Sequence, residues 1–263
     1  LYTECVYRPF DIRHCKNISS GAKKCVKSFE LIKKRRRFNE FTKKHLRVTK
    51  KCGTKTDLQR TAAKFDAVIT GSDQVWNPNA TGGDFGYFLD FVGSGTKKIA
   101  YAASIGYRTF PPKYESKCIE YLKGFESISV REKSACKTVA ESADKDVENV
   151  LDPTLLLSDL RWLDIAKKPR NLPHRYILVY MMEGCKYTIE KARALARDKE
   201  CDLVLINPTL RQRQTCKDFV MYKAASPEEF VGMFAQADAV VTNSFHGVVF
   251  SVIFKKEFYA ETS

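Results

Sequence analysis

No apolar run in this 263-residue chain approaches the roughly 20 residues that a helix needs to cross a bilayer, which excludes a transmembrane span. No Cys-x-x-Cys pair occurs among the nine cysteines either, and these are odd in number and scattered. That distribution argues against a zinc knuckle and against a secreted disulfide framework, and leaves free thiols in a reducing cytoplasm as the expectation. The opening residues, Leu1 to Cys5, carry neither the apolar stretch nor the cleavage site of a signal peptide. An initiator Met is missing, and Phe258 to Ser263 reads as a strand cut short, so the chain is expected to be a fragment truncated at both ends. Acidic residues are scarce in one place: residues 1–56 hold 17 Lys/Arg against 4 Asp/Glu, whereas the remaining 207 hold 28 against 27. Nearly all of the +14 net charge therefore sits in the N-terminal quarter. A nucleic-acid binder would be expected to spread basic and aromatic residues over a binding face, so no nucleic-acid partner is expected.

What is present is an ordinary globular composition, 44% hydrophobic and 29% charged, which excludes wholesale disorder. Cys5-Val6-Tyr7 is a short strand-like piece closed by Arg8-Pro9. A basic helical segment at about 21–50 follows, centred on Lys33 to Arg37, with Leu31, Phe38 and Phe41 spaced as one apolar helix face. That face either covers the protein's own body or meets an anionic surface such as a membrane. From residue 65 strands alternate with helices: 67–70, 99–104, 127–130 and 147–151, then 176–181, 203–206 and 239–242. A helix begins at Glu132, another covers about 187–199, and Ser226-Pro227-Glu228-Glu229 is a helix start with Ser as N-cap. Short apolar strands alternating with helices describe parallel βα units. The expected fold is α/β with two Rossmann-like domains, 1–157 (including the basic segment) and 158–263, joined by a linker near 155–175.

In such sheets ligands bind beyond the carboxyl ends of the strands, where helix N-termini favour anions. Three polar clusters stand there: Gly71 to Asn77, Ser129 to Glu132, and Thr242 to Gly247. Arg131 has the planar fork that meets phosphate or carboxylate with two hydrogen bonds, or else it forms a surface ion pair with Glu132 or a neighbour. Asp73 is a base or caps the following turn. Trp76 and Asn77 read as packing and turn residues. His246, one of four histidines, stands at a strand-to-helix turn before Gly247, where it is either structural or, beside a bound phosphate, an acid or clamp.

These stretches carry a resemblance. Asp66 to Asn77, Ser129 to Glu132, Leu151 to Thr154 and Val241 to Gly247, in that order, are similar to the polysaccharide pyruvyl transferase family. The resemblance implies a GT-B-like fold with two Rossmann-like domains facing a cleft. It implies phosphoenolpyruvate (PEP) as donor substrate; the chemistry of that transfer asks for no further cofactor and no metal, and no metal-ligand spacing is present. The acceptor would be hydroxyls of a cell-surface glycan, commonly lipid-linked and made at the cytoplasmic membrane face, and the product a pyruvyl ketal. It associates Arg131 and His246 with the donor site. His246 and Asp73 are then the catalytic residues, and Arg131, Ser72, Asn243 and Ser244 hold the donor phosphate. Two departures stand out: family members often carry an Arg where this chain has Ser244, and the expected Gly-rich first strand-loop is absent. The competing functions are a GT-B-type nucleotide-sugar glycosyltransferase and a non-catalytic binder of anionic polymers.

Overall fold

The computed structural model describes residues 19–182 and 185–261, with side chains in the first helix from Glu30 onward. The strand-like piece at Cys5-Val6-Tyr7 lies outside the described residues. Helix α1 (Ser19–His45) is followed by α2 (Lys55–Ala62), whose start is fixed by a reciprocal cap between Thr54 and Asp57. Strands β1 (Ala67–Thr70), β2 (Lys97–Ala103), β3 (Ser127–Val130) and β4 (Val147–Asn149) then form a parallel sheet in consecutive order, linked in part through α3 (Glu115–Leu122) and α4 (Lys133–Ala143). Right-handed crossovers between consecutive strands place their helices on one face. Val68, Ala100, Ile128 and Val130 accordingly share one core with Ala62, Leu122, Val139, Trp76 and Phe88. On the other face of the edge strand, Ile69 is 61% exposed. Strand β2 is irregular: its register shifts between Ala100 and Ala103, and Ala102 is left-handed at φ 51°. The buried Ser129 hydroxyl satisfies the backbone there, accepting from Ala102 N–H and donating to the Ala100 carbonyl, each at 3.1 Å.

The second sheet holds β5 (Tyr176–Tyr180), β6 (Asp202–Ile206), β7 (Val220–Tyr222), β8 (Ala239–Thr242) and β9 (Glu257–Ala260) in the order β7-β6-β5-β8-β9. Helix α5 (Asp159–Leu163) precedes it, and α6 (Lys186–Asp198), α7 (Leu210–Thr215), α8 (Pro227–Gln236) and α9 (Phe245–Ile253) separate its strands. Both faces are covered. Ile177, Val179 and Val241 pack with Ile189, Ala192 and Leu195 of α6, while Leu178, Val204 and Val240 pack with Met233 and Phe234 of α8 and Phe250 of α9. Strand β7, three residues long, escapes a reading based on apolar runs, and β4 ends at Asn149 rather than Leu151.

By contacts, Val48–Leu156 form one compact unit, and α1 joins the residues from Leu157 onward in the other. The expectation placed the basic segment within 1–157, whereas its contacts are with the later residues. The reason is electrostatic: the first turn of α8 carries Glu228 and Glu229, and Arg37 pairs with Glu229 while donating to the Ala224 carbonyl at 2.7 Å. Glu30 pairs with Arg213 at 2.6 Å, and His45 Nε2 lies 4.0 Å from Glu228. Among the described side chains of α1, the half-buried ones are Glu30, Lys34, Arg37, Phe41 and Thr42, a helical spacing, and burial pushes the Lys34 ammonium below its ordinary pKa. The expected apolar face of Leu31, Phe38 and Phe41 is therefore split: Phe41 is half-buried, whereas Leu31 (47%) and Phe38 (44%) are exposed.

Candidate functional site

The polar end of the first sheet is built on unusual backbone. Gly71 follows β1 at φ +117°, and a Cβ there would lie 2.0 Å from the Tyr101 carbonyl oxygen, so no larger residue fits. Asp73 is left-handed at φ 67°, and its carbonyl accepts from Val75 N–H (2.7 Å) and Ser104 N–H (2.9 Å), tying this turn to the end of β2. Into the same place β3 delivers Arg131, whose side chain is 6% exposed. Its Nε donates to Glu132 Oε1 (2.9 Å), its Nη1 to Asp152 Oδ2 (3.1 Å) and its Nη2 to Asp73 Oδ1 (3.0 Å). Asp152 is buried. Its Oδ2 also accepts from Ser72 Oγ at 2.9 Å, and its Oδ1 accepts from the Thr154 N–H (3.0 Å) and hydroxyl (2.7 Å). Side-chain hydrogen bonds through Arg131 and Asp152 thus join stretches 71–77, 129–132 and 151–154.

The electrostatics follow from that packing. Burial disfavours the charged form of Asp152, but hydrogen bonds from Thr154, Ser72 and Arg131 outweigh it and hold the carboxyl below the usual carboxylate range. Burial likewise opposes the Arg131 charge, and its bonds and attraction to Glu132, Asp73 and Asp152 overcome this and raise its pKa. One guanidinium stands among three carboxylates, so its charge is already met by the protein's own anions and this is no ready-made cationic cradle. Two polar atoms in this stretch, Thr70 Oγ1 and Glu132 Oε2, are buried without a hydrogen-bond partner. Trp76 is fully buried with its N–H on the Tyr87 carbonyl (3.3 Å), and Asn77 accepts from Asn79 and Ala80 N–H groups; these are packing and turn roles.

In the second unit, β5 and β8 are the neighbours at which strand order reverses, the place where open α/β sheets bind ligands. Their ends are stitched by Thr242, whose hydroxyl donates to the Tyr180 carbonyl (2.6 Å) and accepts from Ser244 N–H (3.0 Å). Asn243 Oδ1 accepts from Met182 N–H at 2.9 Å. Buried Ser244 is the N-cap of α9, and Gly247 lets that helix start against the strand, since a Cβ there would lie 2.1 Å from Thr242 Oγ1. His246 occupies the first turn, half-buried, its ring edge-on to Phe245 at 5.1 Å.

Of the residues singled out from sequence, Ser72, Asp73 and Arg131 are gathered in the first unit, and Asn243, Ser244 and His246 in the second. The Arg131–Glu132 ion pair forms, but on a buried guanidinium rather than at the surface. Asp152, which the sequence offers only within the stretch Leu151 to Thr154, is the most connected carboxylate of the network. Its signal is an acid just past a strand end with a hydroxyl two residues on, Asp152-Pro153-Thr154, which forms a local turn. Among the described residues no cluster of three or more His, Cys, Asp or Glu has a geometry for holding a metal, and no helix is long and apolar enough to cross a membrane. The cysteines whose side chains are described, Cys52 onward, are free, and burial pushes the Cys118 thiol up to about 11, out of reach of nucleophilic duty at neutral pH.

Two parallel sheets, each wound with helical crossovers, define a Rossmann-like architecture of the GT-B type. A solved structure of Methanocaldococcus jannaschii UDP-GlcNAc 2-epimerase, in complex with UDP-GlcNAc and UDP, is similar at 15% sequence identity and a TM-score of 0.52, covering 84% of this chain and 70% of that one. That likeness is one of fold. No curated protein matches the chain. The sequence profile of the polysaccharide pyruvyl transferase family matches residues 10–262, and the chain belongs to that family.

Proposed function

We propose that the protein transfers the pyruvyl group of phosphoenolpyruvate to two hydroxyls of a cell-surface glycan, forming a pyruvyl ketal and releasing phosphate. The observation that supports this best is the convergence of three family-like stretches on the buried Arg131 at the carboxyl ends of the first sheet. Arg131 and Ser72 contact the anionic donor in this reading. Asn243 and Ser244 present a second polar place at the N-terminus of α9. His246 delivers a proton to the methylene carbon of the donor, which makes the adjacent carbon electrophilic. A glycan hydroxyl adds to that carbon and gives its proton to Asp73. The carbon–oxygen bond to phosphate then breaks with its electron pair leaving on phosphate, and the second hydroxyl adds, gives its proton to the released phosphate and closes the ketal.

No step needs a metal or a resident cofactor. We read the acceptor as lipid-linked and the protein as acting at the inner membrane face. The outer face of α1, with exposed Ile32, Arg35 and Arg36, would supply peripheral contact with anionic lipid. Sedimentation with anionic vesicles tests that part: neutralising Arg35 and Arg36 should lower binding, and a wild type that ignores such vesicles at low salt contradicts it.

The main test is phosphate release from PEP over a panel of glycans. His246→Asn should lower kcat by about 100-fold, the low end for a positioned acid, with donor affinity retained. Loss of affinity and turnover together would make His246 a clamp instead. If a nucleotide-sugar in place of PEP supports transfer, the glycosyltransferase reading replaces this one.

A further inference from the structure

Three carboxylates share the Arg131 guanidinium, and they differ sharply in exposure. The side chain of Asp152 is closed to solvent (0%), that of Glu132 is 37% exposed and that of Asp73 is 64% exposed. Asp152 is gripped on both oxygens, by Thr154 on one side and by Ser72 and Arg131 on the other. Asp73 is placed by its backbone: the left-handed φ and the carbonyl bonds to Val75 and Ser104 hold its Cα at the sheet end whatever its carboxylate does. Release of Asp152 from Arg131 would leave a buried charge that water cannot reach, whereas release of Asp73 returns a carboxylate to water. A donor anion therefore displaces Asp73 at the smallest penalty.

We propose that these two carboxylates act on Arg131 in opposite senses. Asp152 is a positioning residue that aims the guanidinium, and Asp73 is a resident stand-in for the donor's anionic group that leaves Arg131 when the donor binds. The identity of the donor rests on the pyruvyl-transfer reading; the exchange of one anion for another on Arg131 does not. The exchange also orders the reaction. Asp73 becomes available to take the proton of the acceptor hydroxyl only after the donor has displaced it, so the donor binds first.

Calorimetric titration of the full chain with PEP, and separately with inorganic phosphate, tests both halves. Asp73→Asn keeps the shape and removes the competing charge. It should bind PEP about 2–5-fold more tightly than wild type, the size of an exposed ion pair, while its kcat falls. A merely structural Asp73 would not give tighter binding with slower turnover. Asp152→Asn should bind at least about tenfold more weakly, because one partner of a buried pair is lost. Thr154→Val, which leaves the carboxylate in place and removes one of its bonds, should weaken binding in the same direction by less, and it carries the positioning half if Asp152→Asn fails to fold. Wild-type or weaker affinity in Asp73→Asn overturns the stand-in. Wild-type affinity in a folded Asp152→Asn, or in Thr154→Val, overturns the positioning role. If wild type binds phosphate but not PEP and the variants keep their order, the exchange stands and the donor reading falls. If wild type binds neither, the anion role of Arg131 is overturned.

Discussion

The two sheets solve one problem differently. The first runs β1-β2-β3-β4 in chain order, places its crossover helices on one side and builds one core, whereas the second reverses at β5 and carries a core on each face. Reversal opens a crevice between adjacent strand ends without help from side chains, and the second unit puts Asn243, Ser244 and the start of α9 there. The described part of the first sheet has no such reversal. Its polar end is assembled instead from a left-handed Asp73, a bulged β2 and a buried ion network. Topology makes one polar place, and side-chain chemistry makes the other.

Core truncations should expose that contrast most strongly. Ile177→Ala, on the central strand β5 with Ile177 fully buried, is expected to lower unfolding free energy in urea by about 2–5 kcal/mol. A loss under 1 kcal/mol would mean that β5 is not the doubly covered strand described. Gly247→Ala forces a Cβ against Thr242 and should destabilise by about 1–3 kcal/mol, with a matching drop in Tm. An unchanged Tm would show that the stitch between β5 and β8 yields easily.

The acid limb of stability comes next, and it reports on the first unit. The folded Asp152 pKa lies below its unfolded value, so its stabilisation is fully present above about pH 4 and is lost as pH falls through the folded pKa. Asp152→Asn removes that contribution. Its stability should vary less than that of wild type below about pH 4, and equally steep acid unfolding would contradict the assigned role. Smallest of all, Ile69→Ala on the uncovered face of β1 should stay within about 0.5 kcal/mol of wild type. A loss comparable to that of Ile177→Ala would erase the difference between the two sheets.

Much of this was legible in the sequence because apolar runs ending in Gly, Ser or Pro carry strand identity locally. Strands β1, β3, β5, β6 and β8 stand close to where their aliphatic runs put them, and the N-cap at Ser226 is a local signal as well. Features decided by distant partners were not legible. The inward face of α1 is set by Glu228 and Glu229, some 190 residues away, so a charged stripe docks where an apolar one was expected. Asp152 was legible only as one member of the stretch Leu151 to Thr154, because its importance lies in reaching Ser72 and Arg131 across the ends of three strands. Residues 220–222 are too short a run to announce β7, which exists by pairing with β6.

The most direct single measurement is the stoichiometry of phosphate release and glycan modification when the protein is incubated with PEP and an acceptor carrying a suitable pair of hydroxyls. Pyruvyl transfer predicts one phosphate released for each ketal formed, both abolished without acceptor and both strongly reduced in Arg131→Lys, whose point charge cannot reproduce the planar fork. Phosphate release that ignores the acceptor, or an Arg131→Lys variant that turns over like wild type, would contradict it.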